Sequence, residues 1–377
     1  MPGGGSATEV RLAILHCTKG ANKLTPLLML PFKLVYSDGY YLPIGEHVFP
    51  AEKYRRIKQR LLEAGIAGPE DFLVPEPATD FDVHLVHASE YVHKLQTGTL
   101  SAREELEMEI PFSHELVDAF WLAAGGTILA AQRALEDRVG INLGGGFHHA
   151  FPDHGEGFCM IHDVAIAVRR LQKDKKITRA MTIDCDVHQG NGTAIIFRSR
   201  RAALQPLPST GAPTLEPIAG VPHPSPVLAR VGVSSSSSQG PSQDIQDAPD
   251  VFTISLHQEN NYPAWKPPSS IDVNLPDGIG DEQYLAWLDN AVSSALRQFQ
   301  PDLLCYLAGA DPYREDQLGG LNLSIDGLKK RDEFVFRVAR TRSIPVMVTL
   351  AGGYARKVED TVTIHCNTVV AAGEVFG

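Results

Sequence analysis

The chain alternates short apolar runs with longer segments whose apolar positions recur every three to four residues. Runs rich in Val, Ile and Leu at 33–36, 139–143, 180–183, 251–256, 303–307 and 345–350 predict buried β-strands. Amphipathic segments at 51–64, 114–135, 159–172, 281–299, 325–340 and 358–372 predict helices. The helix starting near Asp281 carries Glu282 in its first turn, which suits the helix dipole. Strands alternating with helices predict an α/β fold. The expectation is a single domain with a mostly parallel central sheet, covered by helices on both faces and joined by right-handed crossovers. In such a sheet the ligand lies beyond the carboxyl ends of the strands.

Two stretches break this pattern. Residues 1–32 open with Gly3-Gly4-Gly5 and have no clear period, which predicts a loosely ordered extension. Residues 198–248 hold eight prolines, nine serines and no aromatic residue. A segment of that composition buries too little apolar surface to offset its ordering entropy, so it reads as a surface insertion. The catalytic domain is then expected at 33–377, interrupted at 198–248.

Composition narrows the class. The 377 residues carry 34 Lys and Arg against 45 Asp and Glu, a net charge of -11. That balance argues against direct nucleic-acid binding. The apolar run at 27–30 stops at Pro31, far short of a membrane span, and the opening residues lack the basic region, long apolar core and small-residue site expected of a secretory signal. Five cysteines without a C-x-x-C pair argue against a disulfide framework and fit a reducing compartment. The expectation is a cytoplasmic protein, with the nucleus open to it in a eukaryote.

The chemistry sits just past the strands. Four predicted strand ends are followed by Gly144-Gly145-Gly146-Phe147-His148-His149, by Asp184-Cys185-Asp186-Val187-His188-Gln189-Gly190-Asn191-Gly192, by Ala308-Gly309-Ala310-Asp311 and by Gly352-Gly353-Tyr354. In extended backbone Asp184, Asp186 and His188 share one face. Buried together, such groups call for a cation among them. Asp186 and His188 with the distant Asp311 would supply two carboxylates and an imidazole with one open position, the donor set of catalytic zinc. Taken alone, the Asp-x-Asp-x-His run fits equally well two loop-capping carboxylates and a core histidine. Adjacent histidines beside a metal suit acid–base work, with Asp184 orienting one imidazole. Tyr354 either packs as a core aromatic or aims its phenol at an oxyanion.

As an ordered set, GGGFHH, GFC (Gly157-Phe158-Cys159), DCDVHQGNG, GAD and GGY resemble the zinc-dependent histone deacetylases of the arginase-like fold. The segments LPIGEHVFPAEKYRRI at 42–57 and SLHQENNYP at 255–263 are most similar to the class IV type and its bacterial relatives. This resemblance implies one Zn²⁺ per chain on Asp186, His188 and Asp311, and paired histidines His148 and His149. Asp184 would partner His148, Asn191 would partner His149, and Tyr354 would polarise the carbonyl. Gly157 and Phe158, with Tyr262, would form the tunnel for an acyl-lysine stem. Family members often also bind K⁺ as a structural ion, which places a potassium site at Asp184, Asp186, His188 and Ser255.

The implied activity is removal of an acetyl or longer acyl group from lysine side chains of a protein or peptide. A deacetylase of acetylated polyamines or other small amides is the rival within the fold. A catalytically inactive acyl-lysine binding module is the rival of another class.

Overall fold

The computed structural model describes residues 30–198 and 251–377. The extension before Leu30 and all of the proline- and serine-rich insertion except Arg198 lie outside the described residues. Phe32, at the predicted end of the extension, is buried and belongs to the core.

Strand β1 (Lys33–Val35) leads to helix α1 (Lys53–Glu63), which buries Tyr54, Ile57 and Leu61 at helical spacing. Strand β2 (Phe72–Leu73) and three short helices follow: α2 (Asp80–His84), α3 (Ser89–Thr97) and α4 (Ala102–Met108). Ser113 caps the long α5 (His114–Asp137) by accepting from Leu116 N–H, and β3 (Val139–Asn142) comes directly after it. Then come α6 (Asp163–Lys173), β4 (Ala180–Asp184), α7 (Asn191–Ile196), β5 (Val251–Gln258) and β6 (Ile271–Leu275). The chain closes with α8 (Asp281–Gln298), β7 (Leu303–Leu307), α9 (Ile325–Arg342), β8 (Val346–Thr349) and α10 (Val358–Phe376).

The described strands form one parallel sheet in the order β2-β1-β3-β8-β7-β4-β5-β6. Strands β3, β4, β7 and β8 are buried along their whole length, which explains their unbroken apolar character. Helix α5 packs on β3 and on α6, while α10 packs between α1 and α9, so both faces are covered. After β3 the chain skips two places, lays β4, β5 and β6 outward, and returns to fill the gap with β7 and β8. Loops leaving β3, β8, β7 and β4 therefore emerge side by side.

One predicted helix starts later than expected. The segment at 159–162 turns, and α6 begins at Asp163, with the His162 side chain accepting from Ala165 N–H. The Asp163 carboxylate is spent on the β3 loop: it accepts from Gly146 N–H at 2.9 Å and Phe147 N–H at 2.8 Å. Strands β2 and β6, at the two edges of the sheet, lie outside the predicted apolar runs: FL is only two residues long, and IDVNL is an alternating half-buried strand and not a continuous apolar run. Among the described residues no helix is long and apolar enough to cross a membrane.

Candidate active site

Neighbouring strands bring the two halves of the acidic cluster together. β4 pairs with β7, opposing Asp184 to Leu307, so the loops that follow carry Asp186, His188 and Asp311 into one place. One ligand atom from each lies within 4.8 Å of the others, and all three residues are buried. His188 Nδ1 sits 3.1 Å from Asp186 Oδ1 and 3.5 Å from Asp311 Oδ2.

Backbone amides hold the outer oxygens: Gly352 N–H donates to Asp186 Oδ2 at 2.9 Å, and Val187 N–H donates to Asp311 Oδ1 at 2.8 Å. Asp311 Oδ2 is buried without a hydrogen-bond partner. Burial and the charge of Asp186 push the Asp311 carboxyl up to about 7. An orphaned carboxylate oxygen beside a second carboxylate and an imidazole fits a divalent cation, whose charge would remove that repulsion. Residue 352 must also be small, since a Cβ there would lie 2.1 Å from Asp311 Oδ2.

The two histidines that follow β3 differ in their partners. His148 Nδ1 lies 2.7 Å from Asp184 Oδ2. Against burial, which lowers it, the charges of Asp184 and Asp186 lift His148 to about 9. His149 Nδ1 faces the amide oxygen of Asn191 at 2.8 Å. Burial, with the neighbouring His148 and His188, holds His149 well below the usual imidazole range. The pair thus consists of one imidazole facing a carboxylate and one facing an amide, with ring centroids 4.1 Å apart.

A cavity of about 210 Å³ leads to these groups, lined by His149, Gly157, Phe158, His188, Tyr262 and Tyr354 among others, with Glu109 also on its wall. Gly157 and Phe158 have φ of 53° and 66°. They are the central pair of a tight turn closed by Glu156 N–H to Cys159 O at 3.0 Å and Cys159 N–H to Glu156 O at 2.9 Å. A left-handed phenylalanine costs about 1–2 kcal/mol, held here by the bond from Phe158 N–H to Met108 O. The ring of Tyr354 is edge-on to Phe158 at 6.1 Å and to His188 at 6.3 Å. Burial and then the charges of Asp186 and Asp311 push its phenol well above 10, so it remains a donor. A further cavity of about 20 Å³ lies inside, between Phe49, Tyr54, Gly145, Gly146 and the histidines.

Every residue singled out in the sequence for metal, acid–base or tunnel work therefore lies in this one region. Ser255 opposes Asp184 across β4 and β5, with its hydroxyl 3.0 Å from His257 Nδ1.

Four supporting residues were not anticipated. Asp316 accepts from Tyr354 N–H at 2.7 Å and fixes the turn bearing the phenol. Lys53 is fully buried and donates to Ala351 O at 2.6 Å; burial lowers it to about 8. Arg331 donates to Gly309 O at 2.6 Å and Cys185 O at 3.3 Å, tying the β4 and β7 loops together. Glu156 accepts from Asn191 Nδ2 and from Tyr262 OH, both at 2.7 Å. Only Lys53 left a local signal, a lysine on the apolar face of α1 one turn before Ile57.

With this geometry in hand, comparison with known proteins gives the class. The family model described as histone deacetylase domain matches residues 47–205 and 237–369. The chain belongs to that family, whose members are hydrolases acting on amides. It is 35% identical to an uncharacterized protein of Picosynechococcus over 92% of this chain and 99% of that one. It is 30% identical to histone deacetylase 2 of Arabidopsis thaliana, over 87% of this chain and 77% of the relative. Among solved structures, an HDAC homolog from Aquifex aeolicus superimposes with a TM-score of 0.65 at 22% identity, covering 90% of this chain and 82% of that one. That likeness establishes the fold.

Proposed function

We propose that the chain is a zinc-dependent deacylase that removes an acetyl or longer acyl group from lysine side chains. One observation carries the reading: two carboxylates and an imidazole converge, buried, beside a histidine pair of which one faces a carboxylate and the other an amide. Two oxygens and one nitrogen with an open side suit zinc. When bound, zinc would polarise the amide carbonyl and acidify a water molecule.

The chain's own groups supply the rest. Asn191 Oδ1 accepts from His149 Nδ1–H, leaving Nε2 bare to take the proton of the attacking water. The same imidazole then returns that proton to the departing lysine amine as the C–N bond breaks. His148, whose Nδ1 lies 2.7 Å from Asp184 Oδ2, would lend electrostatic support where the oxyanion forms. Tyr354 OH donates to the carbonyl oxygen as it gains charge. Phe158 and Tyr262 wall the entry. Asn191 in place of a carboxylate beside His149, with the segments at 42–57 and 255–263, supports the class IV type. Asp184 and Ser255, adjacent across two strands, support a K⁺ ion below the site. Free, buried Cys159, Cys185, Cys305 and Cys366 support a reducing, cytoplasmic setting.

An acyl-length series on one lysine peptide, run with zinc-loaded protein beside acetylated spermidine, tests the reading. Release of the acyl group from the peptide is the expected result, and the series shows which chain length is preferred. Preference for the polyamine would move the substrate assignment, and binding without release would leave an acyl-lysine binding module.

A further inference from the structure

Glu156 is the point where the polar groups flanking the tunnel converge. Its Oε1 accepts from Asn191 Nδ2 and from Tyr262 OH, each at 2.7 Å, and its Oε2 lies 3.6 Å from His154 Nε2. The backbone of Glu156 is fixed by the paired bonds to Cys159 that close the left-handed turn. The other end of Asn191 faces His149: Oδ1 lies 2.8 Å from His149 Nδ1 and accepts from Gly192 N–H at 3.1 Å.

An amide has two nearly equivalent ends, one donor and one acceptor. Rotated by half a turn, Asn191 would present its NH₂ to His149 Nδ1. The imidazole would then carry its proton on Nε2, the atom that has to be bare. Gly192 N–H opposes that rotation at one end. At the other, a carboxylate can only accept, so it admits a single orientation of the amide. The two histidines are thus treated differently. His148 has its carboxylate, Asp184, in direct contact, whereas the carboxylate serving His149 stands one amide further away.

We propose that Glu156 is a positioning residue that sets the Asn191 amide, and through it the His149 tautomer, while supplying His149 with a negative charge relayed across that amide. The inference rests on the deacylase reading for its kinetic consequence, though not for its geometry.

The test is a two-residue cycle on the zinc-loaded full chain with an acetyl-lysine peptide: Glu156→Gln, Asn191→Asp and the double variant. Glu156→Gln keeps the shape but lets the amide pair rotate together. It should lower kcat by roughly 10- to 100-fold, the usual range for losing a group that orients a ligand or base, with KM little changed. Asn191→Asp alone sets two carboxylates in contact and should lower both Tm and kcat. In the double variant, the carboxylate introduced at position 191 meets His149 directly while the amide introduced at position 156 donates to it. Tm and kcat should then both recover above the worse single variant. A purely structural clamp predicts instead that kcat only follows Tm through the three variants and that the His149 tautomer does not change.

Tm of the metal-free proteins and the ¹⁵N shifts of the His149 imidazole give readouts without turnover. The wild type should hold the Nδ1–H form and Glu156→Gln a mixture. Should these hold while the wild type releases no acetate, the functional reading fails and the placement of Glu156 stands. Wild-type kcat in Glu156→Gln, or no recovery in the double variant, overturns the proposal.

Discussion

Gly352 N–H donates to Asp186 Oδ2 at 2.9 Å, so the backbone leaving β8 holds a carboxylate delivered by the loop after β4. The contact is possible because residue 352 has no side chain: a Cβ would lie 2.1 Å from Asp311 Oδ2 and 2.6 Å from Asp186 Oδ2. Gly352→Ala should therefore fold, by circular dichroism, yet lose its metal on dialysis because the carboxylates are forced apart. Full zinc content by elemental analysis would show that the cradle yields to a methyl group.

The pairing of His148 with Asp184 has a pH signature. The folded pKa of His148, about 9, lies above the ordinary 6.5. Its stabilisation is thus fully present below about pH 6.5 and is lost as pH rises through about 9. Asp184→Asn should destabilise the chelated protein most below pH 6.5, with the deficit shrinking toward pH 9 and above. Urea melts across that range measure it. A deficit that stays constant with pH would mean Asp184 acts only through packing and hydrogen bonds.

Residues that act through strand ends were legible in the sequence, and residues that act through contacts between distant segments were not. Asp311 could be grouped with Asp186 and His188 because all follow apolar runs, and parallel neighbours align such ends. Tyr354 and the histidine pair are readable for the same reason, standing after β8 and β3. Glu156, Asp316 and Arg331 carry no such mark. Each acts by meeting backbone or side chains more than twenty residues away, and no local period records that. The delayed start of α6 has a related cause. Asp163 serves the β3 loop as well as its own helix, and its binding to Gly146 and Phe147 fixes where the helix begins.

The family match stops at residue 205 and resumes at 237, although the motifs on either side are intact. Phe197 is buried at the end of α7 and Val251 opens β5, so the chain is anchored on both sides of the insertion. Deleting residues 206–236 should leave secondary structure, zinc content and deacylation close to wild type. Insoluble or inactive deletion protein would show that the insertion contributes to the fold or the site.

Tyr354→Phe separates the phenol from its ring. The ring packs edge-on to Phe49, Phe158 and His188, and the backbone is held by Asp316, so Phe should sit in the same place. Zinc content and Tm should therefore hardly change. In the proposed mechanism the hydroxyl serves mainly when the substrate carbonyl becomes an oxyanion, so its loss should fall on the transition state. Removing one such donor costs roughly 10²–10³ in rate, and kcat should drop by about that much with KM near wild type. His149→Ala should also abolish turnover, but added imidazole can replace a missing base and should restore part of it. Imidazole cannot replace a donor fixed on a neighbouring turn, so Tyr354→Phe should stay inactive in its presence. Near-full turnover in Tyr354→Phe would leave the phenol a packing residue and take the second electrophile out of the mechanism.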